Sequence, residues 1–295
     1  MSGLSVLAFP EDRAAAQRLA DALSAPLAVL DVHVFPDGET LPTVPAGLAS
    51  TVILYRRLDH PDRRLIPLLL AADAARRAGA RRLVLVAPYL PYLRQDTVFA
   101  PGQPVSRDAI GQVLGGAFDR IVTVNAHLHR TRDLAEVFGH PVDNLDVASP
   151  LARRLAGGAA PLVVGPDIES APWVQSAARA VGGEAMTFLK TREGDREVTL
   201  TLAEPERVRG CRVLLLDDIC STGATLEAAI RQLLAAGAAR VDVGVIHALF
   251  TGPTLDRLAA AGAARIASSD SIPHPTNALE LAPSLALALQ DEAAR

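Results

Sequence analysis

With 295 residues, 49% of them hydrophobic and 21% charged, the chain can fill two ordinary domain cores and is not the composition of a disordered protein. A formal net charge of -4 excludes a general nucleic-acid binder, which would carry a basic excess. No apolar run is long enough to span a bilayer, and two cysteines, Cys211 and Cys220, are too few for a disulfide framework.

The opening residues MSGLSVLAFPEDR carry no basic region and no small-residue cleavage site, so a cytoplasmic protein is expected. Leu4 to Phe9 reads as a strand and Arg13 to Leu23 as an amphipathic helix. Val52 to Tyr55 is a second strand, Leu65 to Ala78 a helix closed by Gly79, and Leu83 to Ala87 a third strand. Ser106 is placed to cap a helix, and Ile121 to Val124 ends the first half as a strand. In the second half Leu162 to Gly165, Val213 to Asp217 and Val241 to His247 read as strands. Between them Ala171 to Val181 and Leu226 to Ala236 have helical spacing, the latter closed by Gly237. Such alternation predicts an α/β fold of two tandem domains, 1–145 and 146–295, each a mostly parallel sheet flanked by helices. Ligands are then expected at loops leaving the carboxyl ends of strands.

One count stands out. Of 29 basic residues, Lys190 alone is lysine. Codon bias with one remnant would explain that, and so would a position where a compact ammonium is required.

In VLLLDDICSTGATL a buried strand ends in Asp217 and Asp218, and Ser221-Thr222-Gly223-Ala224-Thr225 leads into a helix. Hydroxyls, a glycine and free N–H groups at a helix start make a phosphate cradle, while paired carboxylates accept hydrogen bonds from vicinal sugar hydroxyls. A phosphorylated sugar satisfies both halves; a Ser/Thr cap after surface acids is the plainer alternative.

This segment resembles the phosphoribosyl-diphosphate loop of phosphoribosyltransferases and ribose-phosphate pyrophosphokinases. The resemblance implies that Asp217 and Asp218 hold the ribose hydroxyls and that Ser221, Thr222, Gly223, Ala224 and Thr225 hold the 5-phosphate of ribose 5-phosphate. The stretch PYLPYLRQDTVFAPGQPVS resembles the ATP-binding segment of the pyrophosphokinases, implying ATP-site roles for Arg94, Gln95 and Asp96. Phe35-Pro36-Asp37-Gly38-Glu39 is similar to the family's FPDGE segment, which reaches ATP from a neighbouring subunit through Phe35, Asp37 and Glu39. That implies a homo-oligomer, a dimer at the least, with a hexamer among the larger closed rings. Lys190 and Arg192 in FLKTREGDREV match a catalytic Lys and Arg on a flexible loop. His127, in VNAHLHR, and Asp167, in VVGPDIES, match the family's magnesium-associated His and Asp, so Mg2+ is the implied cofactor. The resemblance continues through ALFTGPTLDRL and SSDSIPHP, with two departures. Asn125 replaces the acid of the family's D-x-H motif, and Glu169 and Ser170 replace the two glycines of its P-D-x-G-G motif.

The expected activity is transfer of diphosphate from Mg-ATP to ribose 5-phosphate, with no nucleic acid or membrane partner. A phosphoribosyltransferase sharing the loop and a non-catalytic regulatory homologue are the competing expectations.

Overall fold

The computed structural model describes residues 3–128, 131, 133–158, 160–193 and 197–292, with backbone alone for 190–193 and 197–199. It divides into two units, Met1–Leu145 with Leu281–Arg295, and Asp146–Glu280.

In the first unit β1 (Leu4–Ala8) leads through a short turn into α1 (Arg13–Ala22), which buries Ala16, Leu19 and Ala20 at helical spacing. Next come β2 (Leu27–Val29), the hairpin strands β3 (Asp31–Val34) and β4 (Thr40–Thr43), and β5 (Thr51–Tyr55). Helix α2 (Pro61–Arg77) starts four residues before the first apolar position of its pattern, because Pro61 suits the first helical turn where its missing N–H costs nothing. The unit continues with β6 (Arg82–Val86), α3 (Ser106–Ala117), β7 (Arg120–Val124), α4 (Ala135–Phe138) and β8 (Val142–Leu145). Among the described residues the sheet order is β2-β1-β5-β6-β7-β8, parallel throughout. Strands β1 and β5 are buried at every position, as a sheet covered on both faces requires.

The second unit repeats the plan with α5 (Ala148–Ala156), β9 (Leu162–Gly165), α6 (Ala171–Val181) and β10 (Glu184–Thr187). A two-stranded antiparallel ribbon follows, β11 (Leu189–Glu193) with β12 (Glu197–Thr201). Then come β13 (Arg212–Cys220), α7 (Ala224–Ala235), β14 (Arg240–Ala248), α8 (Gly252–Ala260), β15 (Arg265–Ser269) and β16 (Asn277–Leu279). The sheet order is β10-β9-β13-β14-β15-β16, again parallel. Leu162, Val164, Val213, Leu215, Val243 and Val245 sit in its core beside Leu226, Ile230 and Leu233 of α7.

Three expectations change. The sequence reading gave everything after residue 145 to the second domain, whereas α9 (Ala282–Leu289) and the residues beyond it belong to the first unit. The cause is electrostatic as well as apolar: Glu292, buried, takes hydrogen bonds from Arg82 at 2.5 and 2.8 Å and from Arg120 at 2.7 Å. Strand β13 runs to Cys220 rather than stopping at Asp217, since Ile219 and Cys220 still pair with His247 and Ala248 of β14. Lys190 and Arg192 lie in a ribbon rather than a loop, in register with Leu200 and Val198.

Candidate active site

In the first unit the sequence-predicted residues fall on two loops and a strand end. Phe35 to Glu39 close the β3–β4 hairpin, where the Phe35 N–H donates to the Glu39 carbonyl at 2.8 Å and the Gly38 N–H to the Phe35 carbonyl at 2.9 Å. Gly38 has φ +94°, a conformation that favours glycine, and Asp37 accepts from the Glu39 N–H at 3.1 Å. The tip is braced by His33, whose ring meets that of Phe35 edge-on at 4.5 Å, yet Val34, Phe35 and Leu41 remain exposed.

Arg94, Gln95 and Asp96 occupy the long loop from the carboxyl end of β6 to α3, with Arg94 and Gln95 exposed and Asp96 buried. The loop's entry is strained: Tyr92 has φ +66°, rare for an aromatic residue, and is held by a hydrogen bond from its phenol to Asp62 of α2. Ser106 does not cap α3 as expected. It is the first helical residue, and its hydroxyl donates to Gln95 Oε1 at 2.6 Å, fixing which face of the Gln95 amide is left to a ligand. His127 follows β7 and is half-buried. The turn before it is set by Asn144, whose Oδ1 accepts from the Ala126 N–H at 2.8 Å, and by Asn125 in a left-handed conformation that asparagine tolerates. Elsewhere in this unit a cleft of about 680 Å³ opens beside α3 and α4, lined by Arg107, Asp108 and Glu136 among others, and it contains none of the residues singled out from sequence.

In the second unit Asp167 follows β9 and accepts from the Ser170 N–H at 3.3 Å. Asp217 and Asp218 stand near the carboxyl end of β13, with the Ile219 N–H donating to Asp218 at 2.8 Å. Ser221 and Thr222 are exposed, Gly223 is buried at the start of α7, and Ala224 and Thr225 form the helix's first turn rather than part of the loop. Gly223 has φ +78°, and a Cβ there would lie 2.5 Å from Thr254 Cγ2 on α8, so both backbone and neighbour demand glycine. Burial, then the charge of Asp217, pushes the Cys220 thiol up to about 12, so it stays protonated. The side chains of Lys190 and Arg192 lie outside the described residues.

Burial, reinforced by the charges of Asp218 and then Asp167, holds the Asp217 carboxyl well above its usual range. An acid that binds its proton more tightly folded than unfolded loses fold stability as pH rises between the two values. Asp217→Asn is therefore expected to raise the melting temperature near neutral pH, by roughly 2–4 °C per kcal/mol of charge burial and repulsion removed, the gain shrinking as pH falls toward the unfolded carboxylate value. Thermal scans at several pH values without divalent cations check this; an unchanged or lower melting temperature at neutral pH would contradict it.

The geometry places two carboxylates, a hydroxyl-bearing loop and a helix start together at the carboxyl end of β13, an interior strand, where such folds bind phosphorylated ligands. Residues 146–267 match the model of the phosphoribosyl transferase domain, and residues 4–117 match that of the N-terminal domain of ribose phosphate pyrophosphokinase. A ribose-phosphate pyrophosphokinase of Methanopyrus kandleri is 34% identical over 97% of this chain and 98% of its own length. The chain belongs to the ribose-phosphate pyrophosphokinase family. A second relative of that name, from Halobacterium salinarum, is also 34% identical, over 96% of this chain and all of its own. The crystal structure of phosphoribosylpyrophosphate synthetase from Mycobacterium smegmatis superposes with a TM-score of 0.83 at 26% identity, covering 98% of each chain.

Within this pyrophosphokinase frame the departure at Ser170 is accommodated locally. Its side chain packs against Gly165, where a Cβ would meet Ser170 Oγ at 1.8 Å, and its hydroxyl donates to the Asp167 carbonyl at 2.5 Å. Ser170 is thereby fully buried.

Proposed function

We propose that this protein transfers the diphosphate group of ATP to the anomeric hydroxyl of ribose 5-phosphate, giving 5-phosphoribosyl 1-diphosphate and AMP. The observation that carries the reading is that pyrophosphokinase likeness extends over both halves of the chain. A phosphoribosyltransferase would need only the second half, and the first half holds the RQD and FPDGE segments suited to a nucleotide.

In this reading Asp217 and Asp218 accept hydrogen bonds from the ribose hydroxyls, and Ser221, Thr222, Gly223, Ala224 and Thr225 hold the 5-phosphate. Arg94, Gln95 and Asp96 bind ATP with Phe35, Asp37 and Glu39, the last three supplied by another subunit of a homo-oligomer. The exposed aromatic and aliphatic side chains at the β3–β4 tip support that assembly. The anomeric oxygen attacks the β-phosphorus in line, the bond from that phosphorus to the α,β-bridging oxygen breaks, and the hydroxyl proton passes to water. Lys190 and Arg192 offset the negative charge on the transferred group.

The residues suit magnesium. Burial first and then the charges of Asp218 and Asp167 raise the Asp217 carboxyl, and the repulsive part is the kind a divalent cation relieves; magnesium needs few protein ligands because it keeps its waters and takes phosphate oxygens. His127 in the first unit and Asp167 in the second are each residues that would serve magnesium, which when bound neutralises phosphate charge. Among the described residues no helix is long and apolar enough to cross a membrane.

Phosphorus NMR of the protein with ribose 5-phosphate and Mg-ATP tests the proposal. AMP and a sugar 1-diphosphate should appear together. ADP in place of AMP would overturn it in favour of a simple kinase, and absence of turnover would favour a non-catalytic homologue carrying Asn125 and Glu169.

A further inference from the structure

The segment ALFTGPTLDRL lies apart from every proposed ligand contact, yet its helix α8 stands directly behind the phosphate loop. Thr254 is buried against Gly223, occupying the space a Cβ would take. Its hydroxyl faces the Thr222 carbonyl at 3.4 Å, and one turn on Arg257 Nη2 donates to that same carbonyl at 2.6 Å and to Thr254 Oγ1 at 3.1 Å. Arg257 Nε also lies 3.6 Å from Glu227 in the first turn of α7, whose N–H donates to the Gly223 carbonyl at 2.9 Å. One guanidinium thus ties together α8, the loop and the start of α7.

We infer that Arg257 is a positioning residue for sugar-phosphate binding, acting by fixing the plane of the peptide between Thr222 and Gly223. A carbonyl oxygen and the following N–H point opposite ways across a planar peptide, so the plane decides whether the loop offers a donor or an acceptor to an anion. Ser221 and Thr222 are exposed and Gly223 can adopt either sign of φ, so the local chain restrains that peptide only weakly, through the Gly223 N–H that faces the Cys220 sulfur. Rotation would turn the Thr222 oxygen out, where it repels phosphate. The charged hydrogen bond from Arg257 holds it toward α8, and Gly223 at φ +78° allows α8 to come close enough to do so. This role rests on the reading of the loop as the 5-phosphate site.

The test is steady-state kinetics of wild type, Arg257→Met and Arg257→Lys, with hydrogen exchange measured on the peptide covering residues 221–225. Arg257→Met should raise KM for ribose 5-phosphate about 10-fold, the scale of one charged hydrogen bond, and leave KM for ATP within about twofold. Loop exchange should accelerate in that variant, and Arg257→Lys, which keeps a charged donor of similar reach, should recover most of both effects. An unchanged KM for ribose 5-phosphate in Arg257→Met overturns the inference. So does a high KM with unchanged loop exchange, which would mean direct contact with phosphate, or equal damage to both KM values, kcat and thermal stability, which would mean general support. A wild type with saturable ATP dependence but none on ribose 5-phosphate would instead remove the reading of the loop itself, and the inference with it.

Discussion

Replacing Lys190 by alanine is expected to lower turnover about 100-fold or more, the scale of losing one preorganised donor to a developing charge, with a much smaller change in either KM. The argument begins with composition. A chain that uses arginine for every other basic position keeps one ammonium, in a segment whose sequence resembles the family's loop with a Lys and an Arg at this spacing, the role proposed above for Lys190 and Arg192. A compact point charge can follow a phosphoryl group as it moves, whereas a guanidinium fork favours one fixed pair of oxygens. Arg192 is two residues along the same strand β11, so the ribbon carries both cations on one element. Lys190→Arg should accordingly rescue only part of the loss. The single lysine also supplies a second measurement, because reductive methylation can modify only its side chain and the N-terminal amine. Substrates together should slow labelling of Lys190. Near-normal turnover in Lys190→Ala, or labelling indifferent to substrates, would remove the role given to it.

The chain order of strands and helices was legible because most parallel strands are buried on both faces and read as unbroken apolar runs, as in Val52 to Tyr55 or Val213 to Leu216. Strands at the sheet margins escaped notice for the opposite reason. Asn277–Leu279 and Leu27–Val29 are three residues long and only half-buried, so they lack a periodic signature. The β3–β4 hairpin is mostly exposed and reads as a polar turn. At the candidate site the same division holds. Asp217, Asp218 and the residues to Thr225 form one continuous string, and a local string is what sequence displays. Thr254 and Arg257 meet that string from 32 and 35 residues away, a distance no local pattern encodes. Ser106 misled because a hydroxyl before a helix has two uses: the cap its position suggested, and the bond to Gln95 that the fold selects. Ser170, standing where the family's P-D-x-G-G motif has a glycine, turns its side chain inward, and only the three-dimensional position of Gly165 could reveal that.

Removal of the Glu292 carboxylate should be strongly destabilising although it lies outside the candidate site. Glu292 is 1% exposed and lies 210 residues beyond Arg82 and 172 beyond Arg120, yet it joins both. Burial alone would raise its pKa, but the hydrogen bonds from the two guanidinium groups win and leave it lowered. Arg120 additionally donates to the Ala288 carbonyl at 2.8 Å, satisfying the last turn of α9 and placing a cation at that helix's negative end. Glu292→Ala leaves two partly buried arginines short of an acceptor, which costs about 3 kcal/mol and lowers the melting temperature by roughly 6–12 °C at neutral pH. An acid whose pKa falls on folding contributes stability above its unfolded value and loses it as pH drops through the folded one. The gap between wild type and Glu292→Ala should therefore close in acid, measured by thermal or urea unfolding across that range. A neutral-pH loss under about 1 kcal/mol would place the cluster with ordinary surface pairs. Truncation before Leu281 should cost more than the point change, since it also strips the buried Leu285 and Leu289 from the first unit. If truncation and Glu292→Ala cost the same, the ionic anchor rather than the apolar face of α9 is what returns the C-terminal segment to the first unit.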